Sequence, residues 1–186
     1  MFKPKFTITN KLLSNIKNIN SLILGLNNRH FSNLILVEME KLAREVSSHA
    51  STSIEGNPLP LTDVKRLIKT APKNVRDTER EVLNYNNILK KINIGLKNNN
   101  IHFSLDLILK IHKGVVNGLL PDYDIGFLRK RPVFVNNPVL RKTVYWPPDH
   151  IDVSGLMNDL VLFIKSNRNN IDPIILAGIF HKQFVL

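Results

Sequence analysis

The strongest constraint on the fold is a run of apolar residues at helical spacing that ends in a glycine and a proline. The run predicts a helix over 36–50 that makes its last turn within 51–57. Gly56 suits the left-handed position just past a helix C-terminus, and Pro58 follows where a helix cannot continue. Ser51 and Glu55 are four residues apart, so they share one helix face. The apolar positions of the run are Met39, Leu42, Ala43, Val46, Ala50 and Ile54.

Helical spacing recurs along most of the remaining chain. Each helix is expected to start at a residue whose side chain can accept a hydrogen bond from a first-turn amide. The expected starts are Thr9 or Asn10, Thr62, Asp77, Ser104, Asp149 or Asp152, and Asp172 before Pro173. Two short β-type runs, 133–135 and 143–145, predict one β-hairpin between these helices. The pattern therefore predicts a mainly α fold with one small hairpin.

Composition excludes several classes of protein. The chain has 186 residues and no cysteine, which excludes a disulfide scaffold, a cysteine-ligated zinc site and a cysteine nucleophile. No apolar run approaches the ~20 residues of a membrane span, and residues 1–6 lack the apolar core of a signal peptide. We expect a soluble, cytoplasmic protein with no membrane partner.

The chain is strongly basic, with a formal net charge of +11. The lysines and arginines are scattered and no nucleic-acid recognition motif is visible, so nucleic acid is not the expected partner. The most basic local stretch lies between Gly126 and Trp146 and contains no acidic residue. This stretch suits a negatively charged ligand, but a solvated hairpin tip has the same composition. Its basic residues are Arg129, Lys130, Arg131, Arg141 and Lys142.

Glu55 occupies an unfavourable position for a carboxylate. In the last turn of a helix it faces the negative end of the helix dipole, which typically costs about 0.3–1 kcal/mol. A cation held close to the carboxylate would remove this cost. A solvated surface glutamate is the alternative interpretation of the same position.

The residues around Glu55 resemble the inhibitory motif of the Fic/Doc family of protein AMP-transferases. The motif consists of Ser51, Glu55, Gly56 and Asn57, and a Pro-Leu-x-Leu-Thr segment follows it. Further segments resemble the family in the same order along nearly the whole chain. These are residues 6–16, 61–64, 77–85, 111–120, the flap segments Gly126-x-x-Arg129-x-x-x-Val133 and Tyr145-x-Pro147-Pro148, residues 156–163, and Asp172-Pro173 with His181-x-x-Phe184.

The resemblance implies a fold and a set of site residues. The fold is a Fic-like helical bundle, in which residues 1–60 form an N-terminal region ending in the inhibitory helix. Residues 61–186 form an incomplete Fic core, with a target-binding flap at about 126–148. The flap residues are Val133, Phe134, Val135, Thr143, Val144 and Tyr145.

The resemblance also implies a catalytic loop, His-Pro-Phe-x-Asp/Glu-Gly-Asn-Gly-Arg-x-x-Arg, directly after Leu186. In the family its histidine is the general base, its acidic residue holds Mg²⁺, and its glycine-rich turn and first arginine hold ATP. The second arginine takes the γ-phosphate or pairs with the inhibitory glutamate. His181 precedes the position of the base and is expected to be a core or packing residue. The chain ends on apolar residues inside a helix, so we expect a truncated chain without catalytic residues, metal or cofactor of its own.

Three functions follow for such a chain. The first is an inactive N-terminal part of a Fic adenylyltransferase. The second is one half of an enzyme completed by a separate chain. The third is a non-catalytic module that binds an extended peptide along the flap edge. A protein target, if there is one, would contact the flap. In this chain, which lacks the arginine partner, Glu55 is expected to be solvated or paired with a nearby lysine or arginine, and functionally idle. Uncovered core surface would favour self-association.

Overall fold

A computed structural model describes residues 2–137 and 139–185. Within these residues the chain forms seven helices and one two-stranded antiparallel sheet, which confirms a mainly α fold with a small hairpin. None of the described helices is both long enough and apolar enough to cross a bilayer. The elements are α1 (Asn10–Asn27), α2 (Asn33–Ile54), α3 (Leu61–Thr70), α4 (Asp77–Lys97), α5 (Leu105–Val115), β1 (Val135–Asn137), β2 (Lys142–Tyr145), α6 (Val153–Asn167) and α7 (Pro173–Val185).

Several helices begin where the sequence predicts. The Thr9 hydroxyl accepts a hydrogen bond from the Leu12 amide at 3.2 Å. Ser104 caps α5 in the same way, through the Leu107 amide at 3.1 Å. Asp172 accepts from the Ile174 amide at 2.8 Å, directly before the proline that starts α7. In each case a side-chain oxygen satisfies an amide that the first helical turn leaves free.

Two helices begin earlier than predicted. The prediction of Thr62 as the cap of α3 is wrong, because the Pro60 carbonyl already accepts hydrogen bonds from the amides of Asp63 and Val64. The prediction of Asp77 as the cap of α4 is also wrong. The capping residue is Arg76, whose backbone amide donates to the Glu79 carboxylate at 2.9 Å. A glutamate three residues into a helix can bond to the capping residue's amide, whatever the side chain there.

The hairpin is present, but its first strand starts later than the apolar run. Residue pairs across the hairpin are Val135 with Tyr145, Asn136 with Thr143, and Asn137 with Lys142. Val133 and Phe134 therefore precede β1. Polar side chains determine the pairing: the Thr143 hydroxyl donates to Asn136 at 2.9 Å, and the Asn137 side chain accepts from the amides of 139 and 140 at 2.9 and 3.0 Å. Pro138, at the predicted connection, lies outside the described residues.

The chain divides into two compact units. The central unit is residues 31–127, and the terminal unit combines the described residues of 1–30 and 128–186. The core of the central unit is formed by Val64, Leu67 and Val82, against which apolar side chains of the loops and of α3 and α4 pack. In the terminal unit the buried apolar residues are Ile16, Met157, Leu160, Val161, Leu176 and Ile179. The predicted boundary at residue 60 stays a prediction.

The apolar run that predicts α2 does not form its buried face. Met39, Leu42 and Val46 are 50 %, 48 % and 44 % exposed, and Ile54 is 82 % exposed. The residues of α2 that are buried are instead Glu45, Ser48 and Thr52. The hydroxyls of Ser48 and Thr52 donate to the backbone carbonyls of Arg44 and Ser48, so burying them leaves no donor unsatisfied.

Candidate functional site

The C-terminus of α2 closes in the way that the glycine predicts. Gly56 has a φ of +95°, in the left-handed region that favours glycine. Its amide donates to the Ser53 carbonyl, and the Asn57 amide donates to the Thr52 carbonyl, each at 3.0 Å. This pair of bonds is the Schellman motif, which satisfies carbonyls that the last helical turn leaves free. The backbone around Glu55 is therefore fixed by hydrogen bonds on both sides.

Glu55 is the residue at the C-terminal cap of α2, with φ −84° and ψ 5°. Its side chain is exposed, and no described residue forms a hydrogen bond or an ion pair with its carboxylate. The carboxylate thus stays at the negative end of the helix dipole without a cation to offset it. Of the two environments expected for Glu55, solvent or a neighbouring basic residue, the structure shows solvent.

Asn57 ties this helix end to α4. Its side-chain amide donates to the Thr78 carbonyl and to the Glu81 carboxylate, both at 2.8 Å. Its side-chain oxygen accepts from the Leu59 amide at 3.1 Å. Asn57 is only 8 % exposed, so these bonds are made largely out of contact with water. A buried amide with this many partners fixes the orientation of the residue that carries it.

Ser51 supplies a second link to the same helix. Its hydroxyl donates to the Tyr85 hydroxyl at 2.8 Å. Ser51 precedes Glu55 by one helical turn and Asn57 follows it by two residues, so the two links bracket the carboxylate. Their partners Glu81 and Tyr85 are four residues apart and share one face of α4.

The sequence did not single out Thr78, Glu81 or Tyr85 as site residues. Glu81 and Tyr85 belong to a segment that resembles the family, but that resemblance assigns them no contact with α2. The only local indication in the sequence that these residues act together is their helical spacing. Their partners, Ser51 on α2 and Asn57 just after it, lie 21–34 residues away in sequence. Helical periodicity carries no information about contacts at that separation.

The flap residues lie in the terminal unit, on and beside the hairpin. Phe134, Val135 and Val144 are 50 %, 51 % and 49 % exposed, and Val133 is 46 % exposed. The Phe134 ring contacts the Trp146 indole, with ring centroids 5.3 Å apart. The described part of the sheet has two strands, so each strand has one edge that no other described strand pairs with.

The base of the hairpin is held by an arginine that precedes it. The guanidinium of Arg129 donates to the carbonyl of Pro148 and, at 3.4 Å, to that of Arg131. The first of these bonds joins the segment before β1 to the segment after β2. Arg129, one of the five basic residues of this stretch, therefore has a structural role.

The prediction that His181 packs into the core is wrong. His181 is exposed on α7, whose buried residues are Leu176 and Ile179. Each step along a helix rotates the side-chain direction by about 100°, so two steps rotate it by about 200°. His181 therefore lies on the side of α7 away from Ile179. Leu186, the last residue of the predicted apolar chain end, lies outside the described residues.

Among the described residues, no group of three or more His, Cys, Asp or Glu side chains lies close enough together to hold a metal ion. The acidic residue that binds Mg²⁺ in the resembling family belongs to the implied catalytic loop.

Comparison with known proteins supports the resemblance. No family model matches the chain. The chain is 29 % identical over 159 residues to a curated protein of Aedes aegypti named "Protein adenylyltransferase Fic". This similarity supports a relationship to the Fic family. The alignment covers 83 % of this chain but only 30 % of the mosquito protein.

Proposed function

We propose that this chain carries the inhibitory helix and the target-binding flap of a Fic-type protein adenylyltransferase. The observation that carries the proposal is Glu55, an exposed and unpaired carboxylate at a helix end that hydrogen bonds hold in place. Such a group is ready to pair with a cation, because a guanidinium would offset both its charge and the helix dipole. We infer that the cation is an arginine of the catalytic loop that the resemblance implies.

The hairpin has the properties of a target-binding flap. It exposes apolar side chains beside β1, and its edge carries backbone groups that an extended peptide can pair with. We propose that a cytoplasmic protein target adds a strand to this edge and so presents its hydroxyl group. ATP and Mg²⁺ would be held by the catalytic loop.

On its own, this chain should not transfer AMP. The sequence contains no His-Pro-Phe loop, and removing one phosphate-directed donor typically costs an enzyme ~3–4 kcal/mol. Incubation with labelled ATP and Mg²⁺, beside an active Fic protein, should label neither the chain nor proteins of a cell extract. AMP transfer that rises on Glu55→Gln substitution, or that is lost on scrambling the hairpin, would overturn this part of the proposal.

The similarity to a longer adenylyltransferase also permits an enzyme completed in trans. Reading the DNA next to the coding sequence for a His-Pro-Phe…Gly-Asn-Gly-Arg segment tests this version. If the segment is present, co-expression of the two parts should restore AMP transfer. Absence of the segment from every frame removes the version.

The exposed hairpin edge favours a second candidate function, a peptide-binding module without catalysis. Pull-down from a cytoplasmic extract should recover partners that a chain with scrambled residues 133–145 does not bind. Equal recovery by both chains contradicts this function.

A further inference from the structure

Glu55 lies between two residues whose side chains bond to α4, although its own carboxylate forms no hydrogen bond or ion pair with a described residue. The amide of Asn57 reaches the Thr78 carbonyl and the Glu81 carboxylate at 2.8 Å, and the hydroxyl of Ser51 reaches that of Tyr85, also at 2.8 Å. We propose that these contacts form a clamp, defined as Asn57, Glu81, Ser51 and Tyr85, that sets how effectively Glu55 can act. This inference rests on the proposed inhibitory role of Glu55 and names the residues that regulate it.

A helix end without such contacts would hold a carboxylate poorly. Terminal turns fray readily, and the last carbonyls of a helix lack helical donors. The unfavourable dipole at Glu55 adds to this tendency, since repulsion between the carboxylate and the helix end is relieved when the last turn opens. The Schellman bonds of Gly56 and Asn57 oppose the opening, but they persist only while Asn57 stays in place.

The buried Asn57 side chain keeps it there. Its donor hydrogens go to one neutral carbonyl and one carboxylate, and its oxygen receives the Leu59 amide. The hydrogen bond to a charged acceptor is the stronger kind. Loss of this side chain leaves the Leu59 amide without its partner, and it releases the segment that carries the second Schellman amide.

The energetic consequence concerns pairing with an arginine. A carboxylate that is already oriented loses little conformational freedom when it binds a guanidinium, whereas a frayed one must be ordered first. The clamp residues are therefore positioning residues: they act on the cation through Glu55 and do not touch it. A cellular event that opened the clamp would relieve inhibition without altering Glu55.

The first measurement is amide exchange by NMR on the full chain. We expect the amides of Gly56 and Asn57 to exchange at least about fivefold faster in Asn57→Ala, and less markedly faster in Tyr85→Phe, which removes one hydroxyl. Ser53→Ala is the matched control, because Ser53 is exposed on the same turn and its side chain makes no described hydrogen bond. Exchange in both clamp variants that equals the control would overturn the proposal.

The second measurement is binding of a synthetic peptide, His-Pro-Phe-Ala-Asp-Gly-Asn-Gly-Arg-Ala-Ala-Arg, which presents the arginines of the family loop. We expect Asn57→Ala to weaken peptide binding about tenfold relative to Ser53→Ala, equivalent to ~1.4 kcal/mol, at a temperature well below the thermal midpoint of both variants. Faster exchange with unchanged peptide affinity would show that the contacts only stabilise the fold, which contradicts the regulatory role.

A swapped pair separates the specific contact from general damage. Asn57→Asp places two carboxylates together and should weaken binding, whereas Asn57→Asp with Glu81→Gln restores a donor and an acceptor with their positions exchanged. Partial recovery of exchange rate and affinity in the double variant supports the clamp, and no recovery of either contradicts it. Glu55→Gln tests the proposed function separately: if it leaves peptide binding unchanged, the inhibitory pairing is wrong, and the exchange rates alone decide on the clamp.

Discussion

The core under the clamp offers the clearest stability test. Val64 on α3 and Val82 on α4 are both fully buried, at 0 % exposure, and they share one apolar cluster with Leu67. This cluster packs α3 against α4, the helix that bears the partners of Asn57. We predict that Val64→Ala and Val82→Ala each destabilise the central unit.

The expected magnitude follows from the atoms removed. A valine side chain loses two methyl groups on change to alanine, worth ~0.8 kcal/mol each in transfer from water. The cavity left behind adds to this, so the loss should be about 2–3 kcal/mol. Alanine is the better helix former by a few tenths of a kcal/mol, an effect that a control must remove. Val37→Ala supplies that control, because Val37 is helical, belongs to the same unit and is 62 % exposed.

Urea unfolding followed by circular dichroism at low protein concentration measures the difference. With a slope of about 2 kcal/mol per molar urea, the midpoint of Val64→Ala should fall about 1–1.5 M below that of Val37→Ala, with an unchanged slope. A difference between these two variants below about 0.2 M would refute the packing described for α3 and α4.

Three further predictions test other parts of the molecule. The hydrogen bond from Lys97 is the main cause of the lowered pKa of Glu40. The stability that this carboxylate adds should therefore be present above about pH 4.5 and be lost as the pH falls below it. Unfolding measured at low salt across this pH range should show a smaller loss of stability in Lys97→Gln. Gly126→Ala should destabilise the chain by about 1–2 kcal/mol, because φ is +74° and the new Cβ would lie 2.9 Å from the Cβ of Lys113. Gly178→Ala lies in open space on α7 and should stabilise the chain by up to ~1 kcal/mol, and thermal unfolding of the two variants compares these effects. The exposed apolar first half of α2 should make the chain associate as its concentration rises, and sedimentation velocity that shows only monomer, together with a sharp thermal transition, would contradict this.

The parts of the fold that the sequence predicts are those encoded within a few residues. Gly56 and Pro58 are sufficient to place the end of α2, because a left-handed backbone angle and a missing amide are local requirements. Thr9, Ser104 and Asp172 reveal helix starts for the same reason. At Pro60 and Arg76 a backbone group or a neighbouring residue supplies the cap. There the residue type does not show where the helix starts.

The candidate site depends on contacts that the sequence does not reveal. Ser51 and Asn57 are predicted site residues, yet their bonds to Tyr85, Thr78 and Glu81 arise only when α2 and α4 pack together. The predicted bounds of β1 are wrong for a related reason. Asn137 looks like a turn residue by type, but its side chain satisfies the turn amides while its backbone pairs with Lys142.

The packing of α2 explains why a site can form at its end. The helix turns hydroxyl side chains towards the interior near that end, where Ser48 is fully buried and Thr52 is 4 % exposed, while Leu34 at the other end is 73 % exposed. Small side chains that bond to their own helix allow close packing without a requirement for partners elsewhere. The end of α2 that carries Glu55 is therefore fixed by short-range packing and by the clamp, not by its apolar stripe. A substitution that enlarges Ser48, such as Ser48→Leu, should accordingly displace this end and disturb Gly56 amide exchange more than a substitution at exposed Leu34, although Leu34 is the more apolar residue.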